Sequence, residues 1–457
     1  MRPSATRVIG AVAVAVVACS CSKAPAPSGD APAAVSEPPL AAKAVAETEP
    51  AWTPLRSAEY PDPPEGLPAD LPLTRRGDKH VLLAWNDLGM HCYQADFSRF
   101  QILPPYNVFW AQVVARGEKP AVVTEGLQVH YRTLKVENPA RHTNFWKYAA
   151  GYGWTLEPGV GLKGHRTSGT MAAAKDHFLA EGVPVVDFND DGTWDPFPMF
   201  TVSVEDAQGT VLAETLNVAP ASTEMACDLC HTAESVQGTM GAILKAHDAS
   251  AKTALLPQAE SGKPVMCSSC HADPAMGVTE NKDCQRSLSA AMHSYHAQKL
   301  AESKVPLPKN RCHACHPGPK TNCLRDIMSQ SGVTCTDCHG GMEEVGNPAR
   351  TPWVQMPDCT TCHGQALQDP ETTSITSPNQ HLTKDAASLY RNRKAHGGGA
   401  IYCAACHGSP HAVTPTATPR DNEQAVRLQG HPGPIDQCTL CHLEKPAADF
   451  WHHKQPQ

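Results

Sequence analysis

The sequence predicts two dissimilar parts: a β-sandwich-like domain over residues 77–222, then a mainly α-helical and irregular domain over 223–457 with little regular secondary structure. Three observations lead there. Short runs of β-branched and aromatic residues, separated by turn signals, fill the first part, which has no Cys-x-x-Cys unit. The unit Cys-x-x-Cys-His occurs seven times in the second part, beginning at Cys227, Cys267, Cys312, Cys335, Cys359, Cys403 and Cys438. Between those units, short stretches of helical periodicity alternate with Gly- and Pro-bearing loops such as CHPGPKTN and CHGSPH.

Residues 1–18 read as an export signal. Arg2 and Arg7 precede an apolar run too short to cross a bilayer as a helix. Val16-Val17-Ala18-Cys19 has the form of a lipobox, which makes Cys19 the expected lipid-bearing residue and a lipid anchor the expected link to a membrane. Residues 19–76 are rich in Pro and Ala and read as a linker. The 457-residue chain has room for two or three domains. Its formal charge of −8, with scattered Lys and Arg, excludes a nucleic-acid partner.

Five runs justify the β-rich part: 80–85, 107–115, 122–131, 200–205 and 210–218, with Asp206-Ala207-Gln208-Gly209 as a hairpin turn. One short helix is expected over 167–181. Asp187-Phe188-Asn189-Asp190-Asp191-Gly192 opens like a calcium loop, but its twelfth position is Pro198, so an acidic turn before a strand competes with calcium binding. His91, in the run 85–92, is either a buried structural His or a metal ligand for the following domain.

The seven repeats carry the chemistry. Two thiols three positions apart can add to the two vinyl groups of one haem, and the adjacent His can bind its iron. Zinc sites use Cys pairs too, but do not require a His directly after every second Cys. The expected cofactors are therefore seven haem c groups. Their covalent residues are Cys227, Cys230, Cys267, Cys270, Cys312, Cys315, Cys335, Cys338, Cys359, Cys362, Cys403, Cys406, Cys438 and Cys441. The expected proximal iron ligands are His231, His271, His316, His339, His363, His407 and His442.

With 23 histidines in the chain, a second His for each iron is affordable, and that would give six-coordinate iron suited to electron transfer. The distal candidates are His247, His293, His296, His396, His411, His431, His452 and His91. His313, His381 and His453 stand in reserve. Val236, Met240, Ile243 and His247 recur at helical spacing, and His293 and His296 share one side of a second helix, where they could serve two neighbouring irons. Cys284 and Cys323 remain over, either as a disulfide or as two thiols.

The seven repeats, together with the lipobox, resemble the multihaem c-type cytochromes of Gram-negative bacteria that respire metals or other external acceptors. Residues 323–342 and 391–412 resemble segments of those proteins. Residues 85–92 (WNDLGMHC), with ILPPYN shortly after, resemble a domain found ahead of such haem regions. The resemblance implies low-potential bis-His haems and an electron relay in an outer-membrane lipoprotein, facing either the periplasm or the cell surface. Its partners would be redox proteins, among them other multihaem cytochromes or an outer-membrane porin. The chain lacks the Cys-x-x-Cys-Lys variant that several multihaem reductases use. An electron carrier is thus expected before the alternative, a reductase of a small nitrogen or sulfur oxyanion with one open iron.

Overall fold

The computed structural model describes residues 52–72, 77–282, 284–363, 382–383 and 389–447. The signal segment, Cys19, His381, His452 and His453 lie outside them, as does most of the linker.

The first part is two antiparallel sheets sharing a core. One sheet has the order β8–β9–β4–β1, with β5 on β4. Its strands are β1 (His80–Asn86), β4 (Asn107–Ala115), β5 (Ala121–Val122), β8 (Ala172–Ala173) and β9 (Phe178–Val183). The other has the order β11–β10–β6–β7, formed by β6 (Leu127–Thr133), β7 (Ser168–Thr170), β10 (Met199–Asp206) and β11 (Val211–Val218). Alternate residues point inward, as strand geometry requires. Phe109 and Ala111 of β4 meet Phe200 and Val202 of β10 in one buried cluster. Phe109 stacks on Phe200 with ring centroids 3.9 Å apart, and so joins the two sheets.

One expectation changes here. The helix expected over 167–181 is instead the strands β7, β8 and β9. Phe178 and Ala180 alternate into the core, and β9 covers one edge of β4, so tertiary pairing overrides local periodicity. At the acidic turn, the carboxylates are already engaged by protein donors. Asp187 is fully buried and accepts hydrogen bonds from the Tyr93 hydroxyl (2.6 Å), Trp194 Nε1 (3.0 Å), Thr223 N (2.6 Å) and Thr223 Oγ1 (2.7 Å). Asp190 accepts from the backbone of Glu137 and Asn138, and Asp191 from Thr193 N. Protein donors surround these carboxylates, and a cation would have to displace them.

The chain crosses residue 222 without a break in packing. Two short strands of the first part, β2 (His91–Cys92) and β3 (Phe100–Gln101), pair in parallel with β12 (Ala221–Ser222) and β13 (Val265–Met266). The second part is helical and irregular. It holds α2 (Val236–Ala251), α3 (Leu255–Glu260) and α4 (Leu288–Ala301), after the small α1 (Phe145–Ala149) of the first part. Ser235 caps α2 and Ser287 caps α4, each accepting from a backbone N–H three residues on. The short helices α5 (Ile327–Gln330), α6 (Cys335–His339), α7 (Met342–Val345), α8 (Thr360–His363) and α9 (Cys403–His407) follow, then α10 (Pro419–Gln429).

α10 binds the two parts together through a buried polar face. Gln424 Oε1 accepts from Ala84 N (2.8 Å) and Thr215 Oγ1 (2.9 Å), reaching both sheets. Arg420 pairs with Asp195 at 2.7 Å, and Arg325 grips both oxygens of Asp421 at 2.6 and 2.7 Å. Further along, Trp85, Val114 and Tyr402 share a cluster, and Arg116 donates to the carbonyls of Thr439 and Leu440. The β-sandwich thus packs directly against α10, α9 and the Cys438–Leu440 turn. No helix among the described residues is long and apolar enough to cross a membrane.

Candidate cofactor sites

Each Cys-x-x-Cys-His unit folds as a single helical turn. The closing His N–H donates to the first Cys carbonyl in the units at Cys227 (2.9 Å), Cys267 (3.1 Å), Cys312 (2.9 Å), Cys359 (2.8 Å) and Cys438 (2.9 Å). The units at Cys335 and Cys403 are α6 and α9. Residues three and four apart on a helical turn share a side. Both thiols and the imidazole of a unit therefore rise from one face.

Four of the closing histidines look across a gap at a second imidazole. The ring centroids of His316 and His293 are 5.9 Å apart, with planes at 21°. Those of His339 and His411 are 6.1 Å apart, at 27°. His231 faces His296 at 6.5 Å and 75°, and His442 faces His396 at 6.3 Å and 86°. His271 and His247 lie within electrostatic reach of each other. A metal–imidazole bond of about 2 Å on either side, plus the two ring radii, comes to about 6 Å. The gap thus matches one metal ion held from both sides.

Most of the second rings are held by Nδ1, which leaves Nε2 for the gap. His293 Nδ1 donates to the Ser289 carbonyl (2.7 Å), His296 Nδ1 to Met292 (2.8 Å) and His411 Nδ1 to Leu88 (3.0 Å). His247 Nδ1 lies 2.9 Å from Thr253 Oγ1. A hydrogen bond on one nitrogen sets the tautomer and presents the other as a ligand. On α4, the i, i+3 spacing sends His293 to the third unit and His296 to the first.

Electrostatics agree with ligand use. Burial lowers the pKa of His316 to about 4, with His293, His313 and His411 adding to the effect. Burial lowers that of His339 to about 3, helped by His411 and Arg350. His231, His247, His293 and His411 are lowered too, burial first in each case. These imidazoles stay neutral, the form that binds a metal. Burial pushes the thiols of Cys227, Cys267, Cys359 and Cys406 up to about 12, and those of Cys338, Cys403 and Cys441 up to about 11. Cys335 is the exception: it accepts a hydrogen bond from the Cys312 thiol, which lowers it while Cys312 rises.

The units also approach one another. Cys227 lies within electrostatic reach of Cys315, Cys312 contacts Cys335, Cys338 neighbours Cys362, Cys359 neighbours Cys403, and Cys406 neighbours Cys441. The first unit thus adjoins the third, and the third to seventh follow in chain order. The second unit attaches through α2, which packs against the Cys227–Leu229 turn and carries His247.

Other candidates are engaged elsewhere. His91 is buried, with Nε2 2.8 Å from Asp87 Oδ1, and no closing His faces its ring among the described residues. His431 is exposed, with Nε2 3.3 Å from Asp436 and Nδ1 3.1 Å from the Pro432 carbonyl. His313 folds against Gly318, and its buried Nδ1 has no partner. His363 is exposed, and no ring contact reaches it among the described residues. No disulfide joins Cys284 to Cys323: Cys284 Sγ lies 3.7 Å from His271 Nε2, while Cys323 lies near Cys335 and Cys92. The carbonyls of Leu88, Ser289 and Met292, which orient the second rings, carry no side-chain signal in the sequence.

Among the described residues no group of three or more His, Cys, Asp or Glu is arranged to hold a metal ion. Each facing pair offers only two imidazoles, so the remaining positions of a six-coordinate metal must arrive with it. A haem brings four ring nitrogens, and the two thiols of each unit match its two vinyl groups. The residues present fit that group. No protein-family model, no curated protein and no solved structure matches the chain.

Proposed function

We propose that the chain carries seven covalently attached haems and conducts electrons along them, as an exported protein anchored by lipid at Cys19. The observation that carries this reading is the set of facing imidazole pairs, each beside two thiols on one helical turn. Bound there, haem iron would supply one-electron oxidation and reduction with no bond to make or break.

The chain's own residues hold and orient. The paired thiols would anchor the haems; His231, His271, His316, His339 and His442, with His296, His247, His293, His411 and His396 facing them, would hold the irons. His363 and His407 complete the proximal set. The order of neighbouring units supports a line running first, third, fourth, fifth, sixth and seventh, with the second joined to the first through α2. Redox proteins would dock at its ends, other multihaem cytochromes or a porin-bound complex among them. Reduction of a small oxyanion needs a closing His with no imidazole opposite. The facing pairs disfavour that at the first, third, fourth and seventh units.

The test is expression in a host with c-type haem maturation. Intact mass and a haemochrome assay should give seven haems per chain. Spectra of the oxidised protein should be low-spin, and the reduced protein should not bind CO at the paired sites. A protein without covalent haem, or one mostly high-spin, would sink the reading.

A further inference from the structure

We propose that Arg350 is a carboxylate-binding residue between the third and fourth units, holding haem propionates there and raising the reduction potentials of those two haems. The proposal rests on the seven-haem reading above.

Arg350 closes a turn in which its N–H donates to the Asn347 carbonyl at 3.0 Å, and from there the side chain runs inward. Its guanidinium is half-buried and poorly served. Nη1 lies 3.5 Å from Ser289 Oγ and Nη2 3.4 Å from the Gln355 carbonyl, both long for such a donor. Nε is buried with no partner. No carboxylate pairs with it among the described residues.

The other buried arginines are treated differently. Arg325 and Arg420 each meet a buried carboxylate, Asp421 and Asp195, at 2.6 and 2.7 Å. A buried guanidinium without a counter-charge is costly, and its planar fork suits a carboxylate. Burial depresses the pKa of Arg350, as expected of a cation lacking its anion.

Position identifies the anion. Ser289, which Arg350 approaches, also holds His293 through its carbonyl, and His293 faces His316 of the third unit. Arg350 also lies within electrostatic reach of His339, the closing His of the fourth unit. The missing carboxylates must therefore come with whatever occupies those two units, and each haem carries two propionates. A fixed positive charge beside the iron favours its reduced state, which bears one positive charge fewer.

The experiment uses the full haem-loaded chain and the variants R350Q and R350K, read by intact mass and spectroelectrochemical titration. R350Q should keep seven haems while two of the seven titrating components move to lower potential and five stay in place. R350K, which keeps the charge and loses the fork, should shift the same two components less. Seven haems with an unmoved titration in R350Q would overturn the inference and leave the cofactor reading intact. A wild-type chain without haem would overturn both. Should R350Q fail to accumulate, R350K decides: a changed propionate-bending band in resonance Raman supports the contact, and an unchanged band overturns it.

Discussion

Leu88 and His411, 323 residues apart in the chain, meet at 3.0 Å, with His411 Nδ1 donating to the Leu88 carbonyl. The loop after β1 thus orients the ring that faces His339. The same loop is clamped from the other side, where Arg325 Nη1 donates to the Gly89 carbonyl at 2.8 Å. The run 85–92 therefore acts on the fourth unit through its backbone rather than through His91.

Gly89 sits at φ +73°, and a Cβ there would fall 1.6 Å from the Pro410 carbonyl oxygen. Gly89→Ala should destabilise the fold by more than about 1 kcal/mol and loosen His411. Thermal melts should show the loss, and one haem should gain high-spin character. An unchanged melt and spectrum would refute the contact.

His293→Ala and His296→Ala should act on different sites. On the proposed haem ligation, each should keep seven haems by mass while one turns high-spin. Near-parallel rings, as at His316–His293, would then give a rhombic low-spin ferric signal, and near-perpendicular rings, as at His231–His296, a highly anisotropic one. Paramagnetic resonance should lose a rhombic component in the first variant and an anisotropic one in the second. Loss of the same component in both would contradict the pairing.

Arg325→Met should cost about 3–5 kcal/mol, because it leaves Asp421 charged and buried without its partner. The double variant Arg325→Met with Asp421→Leu should recover much of that loss. Denaturant titration of the three proteins checks it, and additive losses would argue against the pair.

Asp187→Asn should destabilise by about 1–3 kcal/mol, since the amide turns one acceptor into a donor facing donors. Calcium or a chelator should leave the melting temperature of the wild type unchanged. A clear rise with calcium would restore a binding loop at 187–192.

Much of this architecture is legible along the chain, where the cause is local. The strands β1, β4, β10 and β11 follow from short apolar runs between turns, and α2 and α4 from helical spacing behind Ser caps. The region 167–181 is not legible in this way, because its strands exist only by pairing with β4 and β6. The polar face of α10 is not legible either, because Asp195, Arg325 and both sheets, all distant in sequence, close over it.

What the sequence alone determined is the repeated unit. Seven five-residue motifs each place two thiols and an imidazole on one side of a turn, because residues three and four apart share a helical face. What only the tertiary structure decided is which second imidazole stands opposite each closing His. Those rings come from α2, α4, the loop at His411 and the strand at His396, and the aim of His293, His296 and His411 is set by backbone carbonyls that look alike in every sequence. A contact between distant segments depends on how the chain packs, and no local pattern encodes that.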